Sequence, residues 1–436
     1  MNTPDVEPHQ IDILTGKPPD SAALLDLILT SARLLFANGQ TTRTIAGAVK
    51  KLGLSQGVQA SIFPHWGELT VRVEDASGSH FETIAVEPSA VDMNKVAATL
   101  TVIDQVYDKR MDATAAKSVL GAITRFPPVS LVRFALLAGA GAAALGVIFG
   151  ATHLVSLVLI ALSAGVGACL RRWLAAKTRN LFVQPFCAAF LAGIVGAIAF
   201  RLQLSSVLRL VAVCPCMVLV PGPHLLNGAL DLARAHILLG IARISYASLV
   251  ILMICAGLVL GLAMGGVSLP ASAPSHPVPL WYDVPAAGVA VAAYGTFFNM
   301  PWRMLPIPML VGMLAHACRW MAISVAGASA EIGALAACFV VGTIMTPIAH
   351  RLRLPFAGVA FASVVSLIPG VFLFRMVAGM VELVTSDQQA PQELLAQVAA
   401  DGMTSLLIVL AMAFGLLLPK MGIDHFTPSL PPTTDK

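Results

Sequence analysis

Hydrophobic and polar positions divide the chain near residue 130. Before that point apolar residues recur at helical or alternating spacing. From Ser21 onward, Leu24, Leu25, Leu27, Ile28, Leu34 and Leu35 fall on one helical face, and Asn38-Gly39 is a left-handed stop. Thr41 or Thr42 opens a second helix through Ile45, Val49 and Leu52, with its stop expected at Gly53. Residues 57–63, 69–73 and 81–86 read as strands, with a turn at 75–78. Asp92 caps a helix through Val96, Leu100, Ile103 and Val106, and 111–124 adds another. The pattern predicts a flexible 1–20 followed by a small α/β domain over 21–125.

After residue 130 the apolar positions fuse into runs of membrane-spanning length. Ten can be drawn: 131–150, 151–170, 182–200, 205–227, 241–264, 284–300, 304–322, 327–347, 355–378 and 398–419. Each is near the roughly 20 residues that a hydrocarbon core demands. Two runs carry a Pro-Gly break, Pro221-Gly222 in the fourth and Pro369-Gly370 in the ninth, 148 positions apart. Both are preceded by a similar Arg-Leu-x-Leu segment, at Arg201 and Arg351, 150 positions apart. This reads as a diverged duplication of five spans. An odd number of spans inserts the second copy upside down. The fold class expected is a polytopic α-helical membrane protein of about ten helices in two inverted repeats, 131–264 and 284–420. An external linker at 265–283 joins the repeats, and a flexible tail follows at 421–436.

Composition sharpens this picture. The chain is 57% hydrophobic and 11% charged, where a soluble protein carries roughly 25% charge. The net charge of +4 comes without a basic cluster, so nothing points to nucleic acid. Basic residues follow the even-numbered runs: Arg171, Arg172, Lys177 and Arg179, then Arg234 and Arg243, Arg303, Arg351 and Arg353, and Lys420. Residues 268–283 have none, and Arg201 is the exception that the inversion explains. This pattern puts both termini on the cytoplasmic side. No apolar leader precedes Asp5 and Glu7, so the first domain is expected to stay where it is made. The seven cysteines lie in or beside apolar runs and read as packing residues, Cys214 and Cys216 included; no metal or cofactor is expected.

Candidate chemistry centres on the breaks. Proline removes an N–H and glycine lets the backbone turn, so a broken helix offers backbone ends to a substrate. Ionisable and polar groups at membrane depth are functional candidates. The substrate candidates are Pro221, Gly222, His224, Asn227, His316, Arg319, Ser366, Pro369, Gly370 and Arg375. Asp231, Asp283 and Glu331 are the available proton or cation acceptors. In the first domain Arg33, Asn38, Gly39, Arg43 and Glu68 stand out, but no nucleophile elbow accompanies Glu68 and His65. No Walker-type phosphate loop is present, which disfavours an ATP-driven pump.

The chain resembles the threonine/serine exporter family of bacteria and fungi. The match rests on Ala32–Arg43 with Leu52-Gly53, on Pro221-Gly222-Pro223-His224 through Asn227-Gly228, on Asn299-Met300-Pro301-Trp302-Arg303, on Arg351–Pro355, and on Ile368-Pro369-Gly370. The resemblance spans about 20–420. It implies an inner-membrane secondary exporter of L-threonine and L-serine, driven by the proton motive force, with protons and the lipid bilayer as partners. Self-association stays open. A split form of the family is tied to dicarboxylates, so a succinate-like exporter is the alternative. A membrane-anchored sensor or hydrolase working through 20–125 is a third reading.

Overall fold

The computed structural model describes residues 21–75, 78–178, 180–204, 208–267, 278–385 and 392–426. The expectations for 1–20, for 268–277 of the linker and for 427–436 of the tail lie outside these residues.

The N-terminal domain has two helices, α1 (Ser21–Ala37) and α2 (Thr42–Ser55), then β1 (Gln59–His65), β2 (Gly67–Asp75) and β3 (Gly78–Val86), then α3 (Met93–Tyr107) and α4 (Ala113–Thr124). The strands form an antiparallel sheet in the order β1-β2-β3. Its alternation is clearest in β2, which packs on α1 and whose Leu69, Val71 and Val73 are at most 1% exposed in the domain's apolar core. Gly39 takes the left-handed conformation expected of a helix stop (φ +86°). The stop expected at Gly53 is displaced. That glycine is an interior helical residue, because it lets α2 close on Ala60 of β1 and on Val58 just before it, and the left-handed turn comes at Gly57. Asp92 caps α3 as its position implied, accepting from the Lys95 N–H at 3.0 Å.

Twelve helices follow: α5 (Leu131–Ile148), α6 (Leu154–Lys177), α7 (Val183–Arg201), α8 (Leu208–Met217), α9 (Gly222–Ala233), α10 (Ile237–Met264), α11 (Leu280–Phe297), α12 (Pro306–Trp320), α13 (Ala330–Leu352), α14 (Phe356–Val364), α15 (Gly370–Thr385) and α16 (Gln392–Phe426). Among the described residues, seven spans are long and apolar enough to cross a membrane, or nine if each bent pair counts as one. The pairs are α8 with α9, bent by 55°, and α14 with α15, bent by 68°. The run expected at 284–300 is α11, which is not among the nine. It carries Asp283 and Tyr294 and is largely enclosed by α5, α12 and α14, so protein rather than lipid sets its composition. Residues 421–426, read as tail, are the last turns of α16, because Lys420 and Asp424 turn inward and are buried.

The packing repeats itself. Contacts of α5 with α6, α6 with α7, α7 with α8, α7 with α10, and α9 with α10 recur as α11 with α12, α12 with α13, α13 with α14, α13 with α16, and α15 with α16. Across the halves, α8 meets α15 as α14 meets α9, and α10 meets α15 as α16 meets α9. Small residues permit the closest crossings. A side chain at Gly257 or Gly261 on α10 would overlap the carbonyl of Phe186 or Phe190 on α7. On the other half, Gly342 of α13 and Gly415 of α16 lie against each other's helix backbone.

The N-terminal domain touches the helical bundle at four places. Leu239, at the start of α10, belongs to the domain's apolar core. Phe298 O accepts from the Met93 N–H at 2.9 Å, and Asn299 donates to Asp92 at 2.8 Å. Arg353 after α13 pairs with Asp104 at 2.5 Å, and Asp424 at the end of α16 pairs with Arg43 at 3.4 Å. Arg201 ends α7 away from this face and donates to Gly265 O at the end of α10, at 2.6 Å.

Substituting Gly261→Val should separate α7 from α10 at a destabilisation of about 1–3 kcal/mol. The expected outcome is a lower unfolding temperature and less monodisperse protein in detergent, read by fluorescence-detected size exclusion.

Candidate transport site

The two breaks are built alike. At the first, Val220 N–H donates to Met217 O and Gly222 N–H to Val220 O; at the second, Ile368 N–H donates to Val365 O and Gly370 N–H to Ile368 O. Every atom pair is 148 positions from its counterpart. Each proline therefore sits in a three-residue turn closed by the following glycine. The breaks also clasp one another. A Cβ on Gly222 would overlap the Phe361 ring of α14, and one on Gly370 would fall 2.8 Å from Met217 Cγ of α8. Tyr294 of α11 donates its hydroxyl to Met217 O, a second bond to the carbonyl that Val220 N–H already caps at the end of α8.

A cavity of about 240 Å³ opens beside the first break. Its wall includes Val218–Pro221 and His224 from the break, Gln184 of α7, Tyr246 of α10, Tyr294 and Phe297 of α11, and Ser89–Val91 of the N-terminal domain. Arg171 of α6 also lines it. Its Nε and Nη1 are buried and find no hydrogen-bond partner among the described residues, and its guanidinium lies 5.3 Å from the Phe297 ring centre. His224 packs edge-on to Tyr246 at 5.1 Å, and Trp66 at the β1–β2 hairpin reaches the same tyrosine at 5.0 Å. An arginine held ready in this way can take a carboxylate through two parallel N–H bonds.

A second polar group crosses the other half. His316 Nδ1 lies 2.8 Å from Asp283 Oδ2, and Nε2 lies 2.5 Å from Ser366 Oγ. Asp283 is at the start of α11, His316 on α12, and Ser366 in the 3-10 turn that leads into Pro369-Gly370. The three are 5%, 0% and 2% exposed. The order of groups is that of a serine-hydrolase triad. Arg319, one turn along α12, is within electrostatic reach of Asp283.

The remaining candidates are dispersed. Asp231 pairs with the buried Arg243 at 3.2 Å, and Arg243 lies over the Phe36 ring of α1. Arg375 pairs with Asp401 of α16 at 3.1 Å. Asn227 donates to Gly39 O at 3.0 Å and so holds the domain on α9, while Asn38 closes the end of α1 by donating to Leu34 O at 2.7 Å. Arg43 joins Asp424 together with Arg234, whose guanidinium burial pulls below its ordinary value and Asp424 partly restores. Arg33 and Glu68 are exposed, and Glu331 stands in the first turn of α13. Cys214 and Cys216 are buried in the apolar core around α8. Sequence reading passed over Arg171, Tyr246 and Tyr294. Arg171 looked like a loop charge because the second run was drawn to end at 170, whereas α6 continues to Lys177.

A helical bundle of apolar spans, two broken helices and a polar cavity define a multi-pass membrane transport protein. The chain belongs to the threonine/serine exporter family: residues 26–265 match the family model described as "Putative threonine/serine exporter", and 283–421 match that described as "Threonine/Serine exporter, ThrE". This is a transporter family, not an enzyme family, and it implies amino-acid export. No curated protein and no solved structure matches the chain.

Gly222→Ala should lower transport severely, because the Phe361 ring and the Gly222 backbone cannot both keep their places; overpacking of this kind costs about 1–3 kcal/mol. Adding Phe361→Leu should recover part of the activity. Gly370→Ala should be milder, since Met217 can swing aside. Uptake into proteoliposomes, normalised to inserted protein, checks the order of the three.

Proposed function

We propose that this protein is a secondary exporter of threonine and serine that works by alternating access of two inverted five-helix halves. The cavity beside Pro221-Gly222 is its substrate chamber, open toward the cytoplasm. The observation that carries this reading is Arg171, whose buried Nε and Nη1 have no hydrogen-bond partner among the described residues, in a cavity that adjoins a broken helix. The substrate carboxylate binds Arg171, while its hydroxyl lies among Tyr246, His224 and Gln184. Inversion is supported by the recurring helix contacts and by the directions of α7 and α13. The first ends at Arg201 beside the end of α10, whereas the second ends at Arg353 against the N-terminal domain.

Ten crossings are supported by the return of the chain to the N-terminal domain after α9, α11, α13 and α16. With the basic residues at these same returns, the domain and the C-terminus lie in the cytoplasm. In a bacterium the membrane is the inner one. The proton that drives export passes through Asp283, His316 and Ser366, whose last member sits at the hinge of the second break. A dicarboxylate would ask for a second cation. Among the lining residues Arg171 is the one permanent cation, while Arg375 is tied to Asp401 and Arg319 lies near Asp283.

Counterflow in liposomes decides the substrate: labelled serine and threonine should enter against unlabelled serine inside, and succinate should not compete. No uptake of either amino acid sinks the reading. Arg171→Gln should raise KM about 10- to 100-fold, the loss of a charged hydrogen bond worth roughly 1.5–3 kcal/mol, with Arg171→Lys recovering part of it. His316→Gln should abolish transport driven by a pH gradient yet leave serine–serine exchange; equal loss of both would remove the histidine from coupling.

A further inference from the structure

We propose that a second cavity, between the N-terminal domain and the ends of α13 and α16, binds an anionic phosphate group. It has a volume of about 230 Å³ and is separate in its lining from the chamber at the first break. The domain contributes Arg43 and Lys51, and the bundle contributes Arg353 and Lys420. Only Asp104 and Asp424 oppose them among the lining carboxylates. Lys51 and Arg353 each lie 2.5 Å from Asp104. Asp424 is shared still more widely, with Arg43 at 3.4 Å, Lys420 at 3.2 Å, His350 at 3.2 Å and Arg234 at 3.1 Å.

Two carboxylates thus meet four lining cations, with Arg234 behind them and His350 at the edge. Such an excess on a concave wall raises the local positive potential and attracts an anion, most strongly near the buried Lys420, since Arg43 and Arg353 are partly screened by water. A zwitterionic amino acid would leave the excess in place. A phosphate offers several acceptor oxygens to guanidinium forks and ammonium groups at once. The hydroxyls of Thr41 and Thr44, 2.9 Å apart, stand on the same wall. Because the cations come from both bodies, the bound group bridges them and holds the domain on the bundle. The phosphate comes either from a cytosolic phosphomonoester or from a lipid headgroup at the membrane surface.

Gly47 of α2 lines this cavity, and a Cβ there meets nothing within 4 Å, so Gly47→Leu fills the space and keeps every charge. The full-length protein in uncharged detergent is titrated with inorganic phosphate replacing chloride at constant ionic strength. The unfolding midpoint should rise saturably by roughly 2–4 °C. Gly47→Leu should lose the rise, and Arg110→Gln, a cation away from the cavity, should keep it. A second arm compares nanodiscs of phosphatidylcholine with and without phosphatidylglycerol. A rise with phosphatidylglycerol that Gly47→Leu removes, without a response to free phosphate, assigns the group to lipid. No rise in either arm, or an equal rise in Gly47→Leu, overturns the site. Both arms read unfolding, so failure of the transport reading leaves them unaffected.

Discussion

Backbone that leaves a helix inside hydrocarbon must be paired or enclosed, because lipid offers no hydrogen bonds. The rest of this molecule depends on how that demand is met twice. Each Pro-Gly turn is closed by its own N–H and covered by the other half, Gly222 by Phe361 and Gly370 by Met217. Tyr294 adds a second bond to the Met217 carbonyl that closes the end of α8. With the breaks buried at the junction of the halves, α11 and α14 become interior helices, and α11 tolerates an acid and a tyrosine that a lipid-facing span would not.

The same demand explains where the charges went. Asp231 and Arg243, and Arg375 and Asp401, are paired in the protein interior. A pair of this kind gives little net stability, but losing one partner leaves an uncompensated charge at a cost of about 3–5 kcal/mol. Against this background Arg171 is conspicuous. It pays the desolvation of a buried cation without an ion pair among the described residues, and a cavity lies in front of it. The Asp283–His316–Ser366 row differs again: its members are satisfied by one another, and its last member borders the second break.

The breaks were legible in the sequence because proline and glycine act locally, wherever the chain goes next. The N-cap at Asp92 and the stop at Gly39 were legible for the same reason. Asp283, His316 and Ser366 were each visible as polar residues in apolar runs, but not as one row, since 33 and 50 positions separate the bonded pairs. Arg171 was misread because a hydropathy boundary ends where the first charge appears, while a helix ends where its hydrogen bonds do. Hydropathy also drew α11 as an ordinary span and cut α16 short, because it assumes lipid or water as the neighbour. Here the neighbour is protein: α5, α12 and α14 around α11, and Arg43 and Arg234 around Asp424.

The reciprocal clasp of the breaks bears on how such a chain can change over time. The space at Gly222 is shaped by a ring belonging to the other half, and the space at Gly370 by a thioether from the first. At Gly222 neither half can alter the contact without a matching change in its counterpart, whereas at Gly370 the flexible thioether leaves some room. Separated onto two polypeptides, the halves would still have to inherit it together, and a half paired with a distant cousin would carry a notch cut for the wrong key.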